Sequence, residues 1–180
     1  MPSLADLAVA VSPRADPAGY PGVAVHADYL WLDSWMYPVG SSGEVDVQGW
    51  SVGVDGGPLA IGASGPELSV GGALAMAGAA PIGSRYPVVS FGSNSAPAQL
   101  RDKFAALTPA NKVIPVTRGF LGGLSLGYSA HVAAPGYVPY VLVDNGSRSA
   151  LPVFVLWLDA FQLAEMNGTC LLYTSPSPRD

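Results

Sequence analysis

The chain has 180 residues, of which 49% are hydrophobic and only 12% are charged, and its formal net charge at pH 7 is −5. Charged residues average about 25% of a soluble protein, so this composition is typical of a compact chain rich in Ala, Gly and Pro. No apolar run approaches the roughly 18 to 20 residues of a transmembrane helix, and eight Lys and Arg in an acidic chain argue against a nucleic-acid-binding surface. The first residues lack the basic region of a signal peptide, which favours a cytoplasmic location.

The first half of the sequence divides into two regions. Residues 1–24 are rich in Pro, Ala and Gly without clear periodicity and are predicted to form a flexible arm. Residues 25–86 contain short apolar runs between turn residues, which predicts a β-rich N-terminal extension. Within this extension, residues 45–52 alternate with period two, as expected for a strand. A helix is predicted from Pro66 to Gly78, where Gly is expected to end it.

The second half has a clearer order of elements. Residues 87–91, PVVSF, predict a buried strand, and residues 93–107 predict a helix with a buried stripe formed by Leu100, Phe104 and Leu107. Four more strands are predicted at Val113–Thr117, Leu124–Val132, Tyr137–Val143 and Leu151–Leu158. A last helix is predicted at residues 159–169, and it starts with the capping-box pair Asp159 and Gln162. This order predicts an α+β fold with a few helices and either a mixed or mainly antiparallel sheet or a partly closed barrel.

The strongest candidate site is the segment that joins the strand at 87–91 to the helix after it. Gly92 permits either a close backbone approach or a positive φ, and Ser93, Asn94 and Ser95 are each suited to cap the helix. The N–H groups of a first helical turn favour an anion such as a carboxylate, so the segment predicts an anion site. A capped helix after a strand, with no ligand, is the alternative interpretation.

Other residues are weaker candidates. His131 alternates with Ser129 near Tyr128 on a predicted strand, where a structural role is the alternative, and His26 has no evident partner. Four aromatic residues are candidates for either a pocket wall or the core: Tyr137, Tyr140, Trp157 and Phe161. Two His and a single Cys, which lies in the tail, predict no metal site and no cofactor. No phosphate-binding loop, dinucleotide fingerprint or G-x-S-x-G elbow occurs.

The last residues, CLLYTSPSPRD, break the composition of the chain. The upstream sequence is rich in Ala, Gly and Val, whereas residues 170–180 contain none of these and include Cys170, the only Cys. The tail resembles the translation of a transposase sequencing adapter in one reading frame, and it is therefore predicted to be non-native. On this prediction the native sequence stops at Thr169, within a longer protein.

The segment FGSNSAPAQL, residues 91–100, resembles the Y-G-S-N-L strand-to-helix loop of the gamma-glutamylcyclotransferase-like family. The segments GYSAHVAAPGYVPYVLV and LPVFVLWLDAFQLAEMN resemble the strand pair and the strand-plus-helix that follow this loop in the family. The resemblance covers residues 87–169 and implies a partial domain with the family's fold. Phe91 replaces the usual Tyr of the motif, and Ser95 replaces its Leu.

The resemblance also implies a function. In this family the loop, here Phe91, Gly92, Ser93 and Asn94, holds the α-amino-acid end of a γ-glutamyl group, and a glutamate takes a proton from the α-amino group. The amine then attacks the γ-carbonyl, closes 5-oxoproline and expels an amine or a peptide. The implied partner is a small γ-glutamyl substrate, without nucleic acid, membrane or cofactor. The alternative is a small-molecule-binding or structural protein of the same fold without this chemistry.

The family's glutamate is implied at position 170. Its L-D-x-x-E pattern fits when Met166 and Asn167 take the places of Leu and Asp and Gly168 and Thr169 fill the variable positions, so that Cys170 stands where the glutamate is expected. A thiol has an ordinary pKa of about 8.5 and is mostly protonated at neutral pH, which makes it a poor general base. The chain is therefore predicted to be a fragment without cyclotransferase activity.

Overall fold

A computed structural model describes residues 11–40, 46–53, 68–144, 146 and 150–169. The described strands are β1 Tyr29–Leu32, β2 Trp35–Gly40, β3 Ser51–Val52, β4 Leu68–Ser69, β5 Tyr86–Ser90, β6 Val113–Gly122, β7 Leu124–Tyr128, β8 Tyr140–Asp144 and β9 Ala150–Leu158. The described α-helices are α1 Val70–Met76, α2 Pro97–Lys103 and α3 Ala160–Gly168. These elements confirm the α+β class with a mainly antiparallel sheet, whereas the specific fold of the family stays a prediction.

Seven strands form one sheet in the order β4-β3-β2-β1-β6-β9-β5, and β7 and β8 pair separately. Every pairing between these strands is antiparallel. Strands from the predicted extension, residues 25–86, join the later strands through the β1–β6 pairing. The predicted boundary between residues 86 and 87 lies inside β5. The two predicted regions therefore share one sheet.

Two apolar clusters cover opposite faces of this sheet. Tyr29 and Trp31 of β1 belong to one cluster and Leu30 belongs to the other, because successive side chains of a strand point to opposite faces. The first cluster takes in Leu100 and Phe104 of α2 and Met166 of α3, and the second takes in Val70 and Leu74 of α1. The buried stripe predicted for Leu100 and Phe104 is confirmed, and Leu107 packs against it although α2 ends earlier.

The strand predicted at residues 45–52 is mostly wrong. Val47–Gly49 forms a 3-10 turn, and only Ser51–Val52 pairs as a strand. The Asp46 side chain accepts a hydrogen bond from the Gln48 N–H at 3.1 Å. This local bond offers the backbone an alternative to the sheet ladder.

The first predicted helix is shorter than expected. It begins at Val70, because Leu68–Ser69 pairs with β3 and the Ser69 hydroxyl accepts the N–H of Gly72 at 3.0 Å as an N-cap. Gly78 follows the helix with a φ of 64°, a conformation that Gly adopts without strain, as its predicted role requires. The predicted start at Pro66 lies outside the described residues.

The predicted strand at 87–91 is only partly buried. β5 pairs with β9 on one side and is the last strand of the described sheet. No described strand pairs with its other side, and Val89 is 42% exposed whereas Ser90 is 4% exposed. Pro87 suits this position, because an edge strand tolerates a missing N–H.

Part of the predicted flexible arm packs against the rest of the chain. The Ser12 hydroxyl donates to Asp102 Oδ2 at 2.6 Å, and the Tyr20 ring stacks on Tyr137 with 4.4 Å between ring centroids. These contacts fix residues that composition alone describes as flexible. Residues 1–10 and the predicted non-native tail, 170–180, lie outside the described residues.

Candidate functional site

A cavity of about 230 Å³ lies beside the loop between β5 and α2. The loop residues Phe91, Gly92, Ser93 and Asn94 line it, as do residues of α2, the end of α3 and three tyrosines. Pockets for drug-sized ligands span about 300 to 1,000 Å³, so this cavity suits a ligand of the size of an amino acid or a dipeptide. All four residues predicted for the binding loop thus face one cavity.

The loop enters α2 through a 3-10 turn at Ser93–Ser95. The N–H and the hydroxyl of Ser95 both donate to the Gly92 carbonyl, at 3.0 and 2.6 Å. Helix α2 begins only at Pro97, with Ala96 as its N-cap and without a side-chain capping bond, because Pro is favoured at the first helical position. The prediction that Ser93, Asn94 or Ser95 caps the helix is therefore wrong.

Some backbone groups of the predicted anion site are already engaged. Pro97 has no N–H, and the N–H groups of Ser95 and Ala96 donate to carbonyls of the loop itself. Helix α2 has seven residues, which is short for a helix dipole to act on a ligand. The anion site therefore stays a prediction, and these groups do not contribute to it.

Gly92 is required by close packing. Its φ is −120°, so no positive φ demands glycine here. A Cβ atom at this position would lie 2.8 Å from the Tyr20 hydroxyl, which is closer than non-bonded atoms approach. Of the two roles predicted for Gly92, the structure shows the close approach.

Tyr20, Tyr137 and Tyr140 form an aromatic wall of the cavity. Tyr20 stacks on Tyr137 and contacts the edge of Tyr140, with 5.1 Å between the Tyr20 and Tyr140 ring centroids. The Tyr20 hydroxyl accepts the backbone N–H of Tyr140 at 2.8 Å. Burial raises the pKa of Tyr20, although this hydrogen bond acts in the opposite direction. The Tyr20 hydroxyl is therefore uncharged at neutral pH.

A polar wall lies between β5 and α2. Ser90, Gln99 and Lys103 all line the cavity, and each is at least nine-tenths buried. Lys103 Nζ donates to Thr169 Oγ1 at 2.9 Å and lies 3.5 Å from Met166 Sδ. Sequence reasoning missed these three residues and Tyr20. The only sequence signal for Gln99 and Lys103 is that they immediately precede Leu100 and Phe104, and so border the buried stripe.

The remaining candidates divide between the cavity and other places. His131 lines the cavity, is exposed, and contacts Ser129 Oγ through Nδ1. His26 lies outside the cavity, near Phe154. Of the four aromatic candidates, Tyr137 and Tyr140 line the cavity, Trp157 packs against the second core cluster, and Phe161 is exposed.

Within the described ranges, no three His, Cys, Asp or Glu side chains are grouped closely enough to hold a metal ion. None of the helices in the described part of the chain has the length and apolar character needed to cross a bilayer.

Comparison of the chain with protein-family models, with curated proteins and with solved structures finds no match. The function of the chain therefore has to be inferred from the residues of its cavity and from the loop motif.

Proposed function

We propose that the chain is a gamma-glutamylcyclotransferase-like protein whose cavity binds the γ-glutamyl group of a small amine or peptide. One observation carries this proposal. The F-G-S-N loop and the end of α3, through Met166, Asn167 and Thr169, line the same cavity although they are far apart in the sequence. These are the two segments that the family resemblance assigns to substrate binding and to the general base.

The reaction needs a base beside the loop. The substrate's α-ammonium is not a nucleophile until a base removes one proton. The resulting amine attacks the γ-carbonyl carbon, and the new C–N bond closes the five-membered ring. The C–N bond to the leaving amine then breaks, and the base returns the proton to that amine. No water or cofactor is consumed, so positioning of the two ends of one substrate supplies much of the catalysis.

The end of α3 is a suitable place for this base. Thr169 lines the cavity, and position 170 follows it directly in the chain. A glutamate at position 170 would supply a carboxylate, whereas this sequence has Cys170. Losing a general base typically costs about 10² to 10⁴ in rate.

The test compares the chain as it stands with Cys170→Glu and Cys170→Gln. Each protein is incubated with a γ-glutamyl dipeptide, and released 5-oxoproline is measured by chromatography. We expect release only from Cys170→Glu, because Gln has nearly the same size but cannot accept the proton. Equal release from the Gln variant, or none from a folded Glu variant that binds the dipeptide, would overturn the catalytic proposal.

A second candidate function is binding without cyclisation. Phe91 lines the cavity where the family motif has Tyr, so a hydroxyl of the usual site is missing. A binding protein would retain affinity for γ-glutamyl ligands while Cys170→Glu releases no 5-oxoproline. Adding Phe91→Tyr to Cys170→Glu then tests the cause, since release of 5-oxoproline by the double variant alone would mean that this chain binds without cyclisation because it lacks that hydroxyl.

A further inference from the structure

We propose that Ser90, Gln99 and the aromatic wall form a subsite for an uncharged, planar group that carries N–H donors, such as an aromatic carboxamide. Two buried side-chain oxygen atoms accept hydrogen bonds from the N–H groups of the ligand, and the tyrosines contact its ring. This inference goes beyond the proposed function, because it uses neither the family resemblance nor a general base.

Ser90 Oγ and Gln99 Oε1 are buried polar atoms at the cavity. Both residues line the cavity, and each is 4% exposed. Neither atom has a hydrogen-bond partner within the described residues. Native proteins rarely retain such atoms, because the hydrogen bonds to water that were lost on burial are not replaced. A ligand group in the cavity would supply the missing hydrogen bonds.

The two oxygen atoms are carried by the elements that the F-G-S-N loop connects. Ser90 ends β5 and pairs with Phe154 of β9, and Gln99 lies in the first turn of α2. The Gln99 N–H donates to the Ala96 carbonyl at 3.0 Å. The backbone at both positions is therefore fixed by hydrogen-bonded structure, so both side chains reach the cavity from an ordered frame.

The lining residues favour an uncharged donor over an ammonium. The Gln99 side-chain oxygen can only accept, so the ligand has to bring the N–H group. A buried ammonium is costly unless a carboxylate pairs with it, and the described lining residues include neither Asp nor Glu. A primary carboxamide has two N–H donors without a charge, and it therefore matches two neutral acceptors.

The aromatic wall favours a ligand with a planar ring. Tyr20, Tyr137 and Tyr140 line the same cavity as the two acceptors, and the stacking of Tyr20 on Tyr137 holds two of the rings together. Contacts between aromatic rings are favourable beyond the burial of their surface. The cavity volume of about 230 Å³ suits one ring with a small substituent.

Three uncharged ligands of similar size test the subsite. Benzamide has an aromatic ring and two N–H donors, methyl benzoate keeps the ring without a donor, and cyclohexanecarboxamide keeps the donors without an aromatic ring. Dissociation constants are measured by NMR titration of the ¹⁵N-labelled full chain. We expect benzamide to bind about 3- to 10-fold more tightly than either of the other two ligands.

Gln99→Leu should weaken benzamide and cyclohexanecarboxamide by about 3- to 10-fold and leave methyl benzoate unchanged, because only the first two ligands donate to the lost oxygen. Ser90→Ala should act in the same direction. Neither change should lower the free energy of unfolding, since the removed oxygen has no partner within the described residues. A purely structural role predicts the reverse, a loss of stability without selectivity among the ligands.

Gln48→Leu is the matched control, because Gln48 is exposed and does not line the cavity. It should leave all three dissociation constants within about twofold. Equal weakening of the three ligands by a folded Gln99→Leu protein would overturn the subsite. Equal affinity of the unchanged protein for benzamide and methyl benzoate would also overturn it, and this comparison needs no variant to fold. Absence of benzamide binding would show that the two oxygen atoms serve water only.

Failure of the subsite and failure of the proposed function give different results. If the ligand pattern holds but Cys170→Glu releases no 5-oxoproline, the subsite stands and the cyclotransferase proposal fails. If Cys170→Glu releases 5-oxoproline but benzamide does not bind, the cyclotransferase proposal stands and the subsite fails.

Discussion

At the scale of single residues, Gly92 and Tyr20 are fitted to each other. The Tyr20 hydroxyl lies 2.8 Å from the point where a Gly92 Cβ would stand, and the ring is held by stacking on Tyr137 and by the N–H of Tyr140. The hydroxyl therefore cannot move away without losing those contacts. The packing of the cavity loop against the N-terminal segment that carries Tyr20 therefore depends on this one close contact.

Gly92→Ala should destabilise the protein by about 1 to 3 kcal/mol, the usual cost of overpacking a buried contact. Thermal or urea unfolding measures the change. Tyr20→Phe removes the hydroxyl, so the double variant should recover much of the loss. Gly83→Ala is the control, because a Cβ there meets no atom within 4 Å and Gly83 is exposed. An equal loss in both single Gly variants would contradict the steric explanation.

A second residue-scale feature is the buried Tyr29. It is 2% exposed, its hydroxyl has no hydrogen-bond partner within the described residues, and burial raises the pKa of Tyr29. The folded state therefore favours the neutral phenol more than the unfolded state does. This contribution is fully present below the ordinary tyrosine pKa of about 10 and is lost as the pH rises above it.

The free energy of unfolding should consequently fall between about pH 10 and 11, by up to about 1.4 kcal/mol per pH unit for this one residue. Tyr29→Phe should make the fall less steep. At pH 7 it should change stability little, because the lost hydroxyl has no partner. Urea unfolding from pH 8 to 11 provides the measurement. The exposed Tyr86→Phe serves as the control, and identical pH profiles for wild type and Tyr29→Phe would count against the explanation.

At the scale of elements, α3 is anchored to the sheet by a polar cluster around Arg85. Asp159 and Gln162 form a complete capping box at its start. Arg85 donates to Gln162 Oε1 at 3.1 Å and to the carbonyls of Val113 and Trp157. Burial lowers the pKa of Arg85, and the nearby Asp159 carboxylate acts in the opposite direction. The Asp159 carboxylate thus caps α3 and also compensates the positive charge of the buried Arg85.

Asp159→Ala should cost more than the ordinary loss of an N-cap, about 1 kcal/mol, because it also leaves a buried charge without compensation. We expect about 2 to 4 kcal/mol by urea unfolding. Asp159→Asn keeps an acceptor for the cap and removes the charge, so it should give an intermediate loss. Asp46→Ala removes the exposed cap of a 3-10 turn and is the matched control. If Asp46→Ala lowers the free energy of unfolding as much as Asp159→Ala does, the charge of Asp159 does not contribute beyond the cap.

At the scale of the whole molecule, both core clusters share one sheet. β1 contributes Tyr29 and Trp31 to one cluster and Leu30 to the other. The strands that precede residue 86 and those that follow it are joined by the β1–β6 pairing. Disrupting either cluster therefore removes support from strands that the other cluster also needs, and the sheet should unfold as a unit.

Leu100→Ala in the first cluster and Leu74→Ala in the second should each cost about 2 to 5 kcal/mol. Both residues are fully buried. Differential scanning calorimetry should show one transition that each variant moves to lower temperature. Two transitions, of which each variant shifts only one, would show that the clusters unfold independently. Leu74→Ala, which leaves the lining of the cavity intact, should retain benzamide affinity below its Tm.

Residue types and their spacing in the sequence were sufficient for the α+β class, the stripe of Leu100 and Phe104, and the capping box at Asp159. Each of these depends on residues within a few positions of one another, so local periodicity and capping chemistry reveal them. The four loop residues were also found locally, from a short motif, but the prediction that Ser93, Asn94 or Ser95 caps the helix was wrong because Pro97 fixes the start of α2.

Only the tertiary structure decided what surrounds that loop. Tyr20 bonds Tyr140 across 120 positions, and Lys103 bonds Thr169 across 66. Neither contact leaves a local pattern, and a helical Lys is ordinarily expected at the surface. The exposure of β5 likewise depends on its place at the edge of the sheet, which is set by the pairing of distant strands. The chain's elements are thus determined by neighbouring residues, whereas its cavity is determined by packing, because burial depends on which distant elements meet.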